Sequence, residues 1–210
     1  SDVCSSDLAQ TIRSGLAGII VSVDGVTQDV YEQYRIGGSL GRTLNAVRYL
    51  AEARRSAEVR NPRIIMQFLV VRHNEHQISE VLKLGNELGA DEVRLKTAQI
   101  YDYKNGSPLI PRDLRYSRYV PAGDGTWRIR SEMENKCWKM WSSCVITWDG
   151  KVLPCCFDKD GAHVMGDLTR QSFREIWFGE RYRRFREGIL KSRASVDICT
   201  NCSEGLSVWA

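Results

Sequence analysis

The sequence predicts an α/β protein built on a parallel sheet and closed by a small cysteine-rich segment with a β-hairpin and a helix. Three observations predict it. Short apolar or β-rich runs, Gly18 to Val23, Ile64 to Val71 and Glu92 to Thr97, alternate with stretches of helical period. That β-α-β-α-β order calls for right-handed crossovers and parallel strands. Asp149-Gly150 lies between two β-rich runs, the signal of a tight type I′ hairpin. Four thiols, Cys137, Cys155 and the pair Cys199 and Cys202, are spaced so that they can converge on one metal centre, with the hairpin folding Cys155 back toward Cys137.

Composition sets the outer bounds. With 210 residues and 42% hydrophobic content, the chain has material for one sizeable domain or two small ones. Its net charge is +4, and the excess is concentrated in Arg181 to Arg186 (RYRRFR). That run reads as a solvated helix face, because its aromatic and basic residues do not interleave in a recognised nucleic-acid-binding motif. No apolar run is long enough for a membrane span, and no charged, apolar-cored leader opens the chain, so a cytoplasmic protein with no membrane or nucleic-acid partner is expected. In that compartment the seven cysteines read as metal ligands rather than disulfides.

In chain order, residues 1–15 read as a non-native or disordered leader, since SDVCSSDL has neither helical nor strand period; Cys4 reads as a free thiol. The run from Gly18 to Val23 is nearly continuous, as in a strand buried on both faces. Asp24-Gly25 ends it, and Thr27 can cap a short helix through Tyr34. After Gly37-Gly38-Ser39 a longer helix runs from Leu40 to Ala57, with Leu40, Leu44, Val47, Leu50 and Ala51 as its apolar stripe. Pro62 stops it. The strand Ile64 to Val71 precedes a helix with Ile78, Val81, Leu82, Gly85 and Leu88 on one side, which Gly89 ends. Residues 101–136 hold no period and read as a long bridge, with one short helical turn around Asp113 to Arg118.

Of the remaining thiols, Cys144 reads as a buried apolar residue. Cys156 neighbours Cys155, and strand neighbours point to opposite faces, so one of the two is excluded from a shared site. Zinc and an iron–sulfur cluster both accept four thiolates, and spacing alone leaves the metal open.

The order of features from Cys137 to Cys202 is more specific. It comprises the first Cys, the Asp-Gly-x-Val-x-Pro-Cys hairpin, Gly166-Asp167-Leu168, the Ser172-x-x-x-Ile176-Trp177 helix, Phe185-Arg186 and the closing Cys-x-x-Cys. It resembles the SPASM/twitch extension that follows the barrel of radical S-adenosylmethionine (SAM) enzymes, in its short single-cluster version. The resemblance implies one auxiliary [4Fe–4S] cluster on Cys137, Cys155, Cys199 and Cys202; the Gly-x4-Cys spacing of that family selects Cys155 over Cys156.

Upstream, SVDG, then Tyr31-x-x-Tyr34-Arg35 and a Gly-Gly-Ser turn resemble the fourth strand and helix of a radical SAM barrel. Residues 16–100 then correspond to the last three strands of a partial (β/α) barrel, residues 101–136 to the bridge and 137–205 to the auxiliary-cluster domain. The resemblance places Ser22 and Asp24 near the ribose and amino-acid parts of SAM, where a hydroxyl and a carboxylate can hydrogen-bond them; a plain Asp-Gly turn is the alternative. Gln67 and Asn74 are further cofactor-contact candidates, and Lys96 a weaker one. His73 and His76 read as surface loop residues, and Arg35 as a solvent-facing helix arginine or a partner for a carboxylate. Ser22, Asn74 and Thr97 should share the C-terminal end of the sheet, a rim expected to be the functional surface in place of the basic helix near Arg183, with its apolar inner face partly exposed.

The Cys-x-x-x-Cys-x-x-Cys motif of radical SAM enzymes is absent from these residues. The resemblance therefore implies the C-terminal portion of an enzyme whose intact form binds SAM and a second [4Fe–4S] cluster. Such an enzyme forms a 5′-deoxyadenosyl radical and oxidises or modifies a small molecule, carbohydrate or peptide, drawing electrons from a flavodoxin or ferredoxin. No catalytic residue is assigned. The alternative from another class is a non-catalytic four-cysteine interaction module, holding zinc or an electron-transfer cluster.

Overall fold

A computed structural model of the chain describes residues 5–130 and 132–202. It divides into two compact units between Arg128 and Ile129. Cys4 lies outside the described residues, as does the stretch from 203 onward.

The first unit opens with a helix, α1 (Ser5–Arg13), where a structureless leader was expected. Its Ile12 is buried, and the helix lies against the long helix α3 described next, so tertiary contact supplies the order that the short polar sequence lacks. Next come β1 (Gly18–Ser22), α2 (Gln28–Tyr34), α3 (Leu40–Ser56), β2 (Arg63–Val70), α4 (Ile78–Glu87) and β3 (Glu92–Thr97). The sheet order is β1-β2-β3, parallel throughout, in a register that sets Ser22 beside Gln67, Gln67 beside Arg94 and Val70 beside Thr97. The C-terminal ends of all three strands therefore share one edge.

Strand alternation gives this sheet two unlike faces. Ile19, Val21, Ile64, Met66, Phe68, Val70, Val93 and Leu95 meet Val47, Leu50 and Val81 of the helices in one core. The other face carries Ile20, Ser22, Ile65, Gln67, Leu69, Glu92, Arg94 and Lys96. Ile20 is 54% exposed there, so β1 is covered on one face and not on both. Continuous apolarity misled here because Ile20 reads like a core residue whether or not anything covers it, while Ile65 beside it is buried. On α4 the inward stripe is Ile78, Val81, Leu84, Gly85 and Leu88, whereas Leu82 faces outward at 41% exposure. A Cβ at Gly85 would lie 2.1 Å from Val93 Cγ2, so only glycine lets α4 seat on β3.

Between Thr97 and residue 130 the bridge is more ordered than a plain loop. It holds a 3-10 turn at Leu114–Tyr116 and a small two-stranded sheet of β4 (Tyr119–Pro121) and β5 (Trp127–Ile129). Tyr119 stacks on Tyr103, with ring centroids 4.6 Å apart.

The second unit contains α5 (Lys139–Ser142), β6 (Val145–Ile146), β7 (Lys151–Leu153), β8 (Gly166–Asp167), α6 (Phe173–Trp177) and α7 (Glu180–Ser192). The three strands form an antiparallel sheet in chain order. The β6–β7 turn is closed by Gly150 N donating to Thr147 O at 3.0 Å, and Gly150 has φ +83°. Asp149 has no positive φ, so this is not the expected type I′ turn. It is the longer loop in which a turn is followed by one left-handed glycine. Thr147 favours it, because its Oγ1 accepts from Lys151 N at 3.0 Å. Among the described residues no helix is long and apolar enough to cross a membrane.

Candidate metal centre

The four thiols come from three separate places in the second unit. Cys137 lies just before α5, Cys155 follows β7, and Cys199 ends a 3-10 turn at Asp197–Cys199, with Cys202 N donating to Cys199 O at 3.0 Å. Cys137 and Cys199 share a buried cluster with Met140 and Ile189, against which Cys155, Phe185, Val196 and Ile198 are placed. Cys202 is buried and close enough to act electrostatically on both Cys155 and Cys199. Burial pushes the Cys155 thiol up to about 12, with the neighbouring Cys156 and Cys202 adding to the rise. Burial likewise raises Cys199 to about 11, against the pull of the Arg193 guanidinium. Thiols so placed are poor free acids and must be ionised by what they bind. Cys144 instead sits with Val152, Met165, Ile176 and Tyr182 in a separate cluster, and Cys156 is exposed.

A buried cation accompanies the thiols, and sequence reading missed it. Arg193, only 1% exposed, places Nη2 at 3.3 Å from Cys202 Sγ and donates through Nη1 to Lys136 O at 2.8 Å. Burial works against its charge, yet Cys202, Cys137 and Cys199 together raise its pKa. Its own N donates to Asn135 Oδ1 at 2.9 Å, and Asn135 Nδ2 donates to Lys191 O at 3.0 Å. The loop after Cys155 is tied in as well. Buried Asp158 accepts from Ala162 N and His163 N, and His163 Nε2 lies 2.6 Å from Asp197 Oδ1, two residues before Cys199.

At the sheet edge of the first unit the expected cofactor residues separate into two kinds. Asp24 is 1% exposed and already engaged: Oδ1 accepts from Leu69 N at 2.7 Å and Oδ2 from Arg35 Nε at 2.6 Å. Asn74 is fully buried; its Nδ2 donates to Asp24 O and Leu69 O, and its Oδ1 accepts from Val71 N. Gln77, not singled out from sequence, accepts from Val26 N at 2.9 Å and donates to Thr27 Oγ1 at 3.1 Å. Thr27 does not cap α2 with its side chain; its hydroxyl is held by Gln77 and in turn lowers the Asp29 pKa by hydrogen bonding. These residues knot the loops after β1 and β2 together. Ser22 and Gln67, by contrast, are half-buried on the face without helices, and Lys96 is exposed there. Arg35 has a carboxylate partner, within the chain. His73 is half-buried, with Nε2 sealed from solvent and desolvation lowering its pKa, and is less of a surface residue than expected.

Residues 137–203 match the family model of SPASM, an iron–sulfur cluster-binding domain. This segment is a SPASM domain. The likeness to curated proteins reaches further along the chain. It is 24% identical over 193 residues to the tungsten-containing aldehyde ferredoxin oxidoreductase cofactor-modifying protein of Pyrococcus furiosus, covering 78% of this chain and 52% of that protein. It is 25% identical over 192 residues to the PqqA peptide cyclase of Ruegeria pomeroyi, covering 82% and 50%. A shorter match, 35% identical over 60 residues, is to the S-adenosyl-L-methionine-dependent 2-deoxy-scyllo-inosamine dehydrogenase of Niallia circulans, covering 28% and 24%. The solved structure of anSMEcpe with bound AdoMet and the Kp18Cys peptide superposes with a TM-score of 0.62 at 14% identity, covering 98% of this chain and 63% of that one; it shows a shared fold. The chain thus spans about half the length of the two curated relatives that it matches over most of its own length.

The residues that mark the SPASM domain each have a physical reason in this structure. A Cβ at Gly166 would lie 2.5 Å from Ile176 Cγ1, so Gly166 and Ile176 require one another. Ser172 and Glu175 form a capping box that starts α6. Phe185 touches both the thiol cluster and the Val152 cluster, joining the two cores. Arg186 lies 4.5 Å from the ring centroids of Trp177 and Tyr182 and donates to Met140 O and Trp177 O, so the basic helix turns one of its arginines inward. The donor set fits an iron–sulfur cluster: four thiols gathered in an apolar setting, with a buried guanidinium to balance negative charge.

Proposed function

We propose that Cys137, Cys155, Cys199 and Cys202 hold one auxiliary [4Fe–4S] cluster, and that the chain is the C-terminal portion of a radical SAM oxidoreductase or modifying enzyme. The observation that carries this reading is the burial of Cys137, Cys199 and Cys202 beside Arg193 with Cys155 placed against the same cluster, while Cys144 packs in a separate cluster and Cys156, next to Cys155, is exposed. Zinc is the weaker alternative: four thiolates accept either centre, and the match of this segment to an iron–sulfur cluster-binding domain favours the cluster.

In the intact protein, SAM cleavage would supply a 5′-deoxyadenosyl radical to take hydrogen from substrate, and the auxiliary cluster an electron acceptor or an anchor for it. This chain's own residues then have definite tasks. The thiols bind the cluster, and Met140, Ile189 and Phe185 keep water from it. On the open sheet face the row Ser22, Gln67 and Arg94 presents hydrogen-bonding groups to SAM or substrate, and Asp24 and Asn74 hold the rim that shapes that site. The face supports its reading as barrel lumen by carrying Ser22, Gln67, Glu92, Arg94 and Lys96 and by being uncovered at Ile20. The named relatives act on a peptide and on an aminocyclitol, which frames the substrate as a peptide, carbohydrate or other small molecule, with flavodoxin or ferredoxin as reductant.

Iron and acid-labile sulfide analysis of anaerobically reconstituted chain tests the first half: about four of each are expected, lost in Cys137→Ala, Cys155→Ala, Cys199→Ala or Cys202→Ala. Zinc without sulfide would sink it. Reconstituted full-length protein under strong reductant should form 5′-deoxyadenosine, and its absence would sink the second half.

A further inference from the structure

Two of the thiol-bearing segments are joined by a side-chain pair that the sequence features of the domain do not include. His163 Nε2 lies 2.6 Å from Asp197 Oδ1, across thirty-four residues of sequence. An ionised carboxylate only accepts, so the ring nitrogen donates. The pair completes an unbroken path of protein hydrogen bonds. Cys155 O accepts from Asp158 N at 3.1 Å, and Cys155 Sγ from Phe157 N at 3.5 Å. The Asp158 carboxylate, in a residue only 3% exposed, accepts from Ala162 N at 2.8 Å and His163 N at 2.9 Å, which closes the loop after Cys155 on itself. Beyond the pair, Asp197 Oδ1 also accepts from Ile198 N at 2.8 Å, Asp197 O accepts from Thr200 N and Thr200 Oγ1, and Cys202 N donates to Cys199 O. The imidazole also meets Phe185 edge to face, with centroids 5.3 Å apart, and Phe185 packs against the thiol cluster.

We propose that His163 and Asp197 form a latch that holds the Cys155 loop against the Cys199–Cys202 turn, so that both are positioning residues for the auxiliary cluster and slow the loss of iron from it. This rests on the cluster reading given above. A chelator takes iron from a cluster when a thiolate swings away and exposes the metal. Asp158 ties the Cys155 loop only to itself, whereas the His163–Asp197 pair links that loop to the turn that carries the last two ligands. Exposure sets the size of the effect. The His163 side chain is 27% exposed and that of Asp197 69%, so water competes for both groups and the pair adds little to the stability of the whole unit. Its consequence is local, because a link between segments distant in sequence limits how often one of them opens.

The test is chelator-driven iron release, followed by loss of visible absorption, from the anaerobically reconstituted full 210-residue chain and from His163→Ala, Asp197→Ala, the double variant and His163→Gln. Each alanine variant should bind as much iron and sulfide as wild type and lose it about 2- to 5-fold faster. The double variant should be no faster than the faster single one, because either change already opens the latch. His163→Gln, whose amide N–H can take the place of Nε2–H, should release iron at close to the wild-type rate. Arg183→Ala, which removes an exposed ion pair with Glu180 on α7, is the control and should leave the rate unchanged. Wild-type rates in both alanine variants, multiplied accelerations in the double variant, or release from His163→Gln or Arg183→Ala as fast as from His163→Ala would overturn the role. If His163→Ala does not fold, as judged by circular dichroism, Asp197→Ala against wild type decides. A wild-type chain that binds no iron and sulfide would instead reject the cluster reading itself, a result distinct from unchanged release rates.

Discussion

Asn74 Nδ2 donates to the backbone carbonyl of Asp24 at 3.0 Å, across fifty residues of sequence, and both side chains are buried. Two of the four residues read from the sequence as cofactor contacts are therefore partners of each other's loops. Ser22 and Gln67, side by side on the uncovered face, are the better placed to reach a ligand.

That division can be measured. Asp24→Ala strands Leu69 N and unpairs Arg35, and should cost about 2–3 kcal/mol of stability in urea unfolding. Ser22→Ala and Gln67→Ala should each change stability by less than about 1 kcal/mol, being half-buried groups at a ladder end and on an open face. In the full-length enzyme those two should weaken SAM binding with the fold intact. Equal destabilisation by all three would remove the distinction.

Arg54 and Asp91 give an acid limb to stability. Arg54 Nη2 donates to Asp91 Oδ1 at 3.0 Å, and Ile64 N donates to Asp91 Oδ2 at 2.7 Å. The Arg54 hydrogen bond is the chief reason that the Asp91 carboxyl falls below its ordinary 3.8. With a folded pKa below the unfolded one, the ionised pair stabilises the fold above about 3.8, and this contribution is lost as pH falls through the lower folded value. Stability measured at a series of pH values below 4.5 should fall more steeply for wild type than for Asp91→Asn. Parallel curves would contradict it.

Gly166 and Ile176 should show strong coupling. Gly166→Ala puts a methyl 2.5 Å from Ile176 Cγ1 and should cost about 1–3 kcal/mol through overpacking. Trimming Ile176 to Ala in the same chain should recover part of the loss, so a double-mutant cycle should give a coupling energy well above zero. Additive effects would mean that the strand and helix shift apart freely.

The six described thiols should divide four to two. Cys144→Ala should keep the iron content and cost about 1 kcal/mol, since Cys144 lies partly buried beside Val152 and Tyr182. Cys156→Ser should change neither, because Cys156 is exposed. Iron retained in Cys155→Ala and lost in Cys156→Ala would reverse that part of the ligand assignment.

The order of strands and helices and the ends of most of them were legible in the residues, because period and turn residues act between near neighbours, and the spacing of Cys137, Cys155, Cys199 and Cys202 marked them as candidate ligands. Tertiary structure alone decided the rest. Whether Ile20 is covered depends on what stands opposite the sheet, so an apolar run could not reveal that one face is open. Asp24 reads as a ligand-seeking carboxylate until Arg35 and Leu69 reach it, and the run Lys191, Ser192, Arg193 contains nothing local to say which cation turns inward. That choice is made by Lys136, Cys137 and Cys202, which lie far from Arg193 in sequence or beyond the next turn, and a buried charge is tolerated only where such distant groups arrive together.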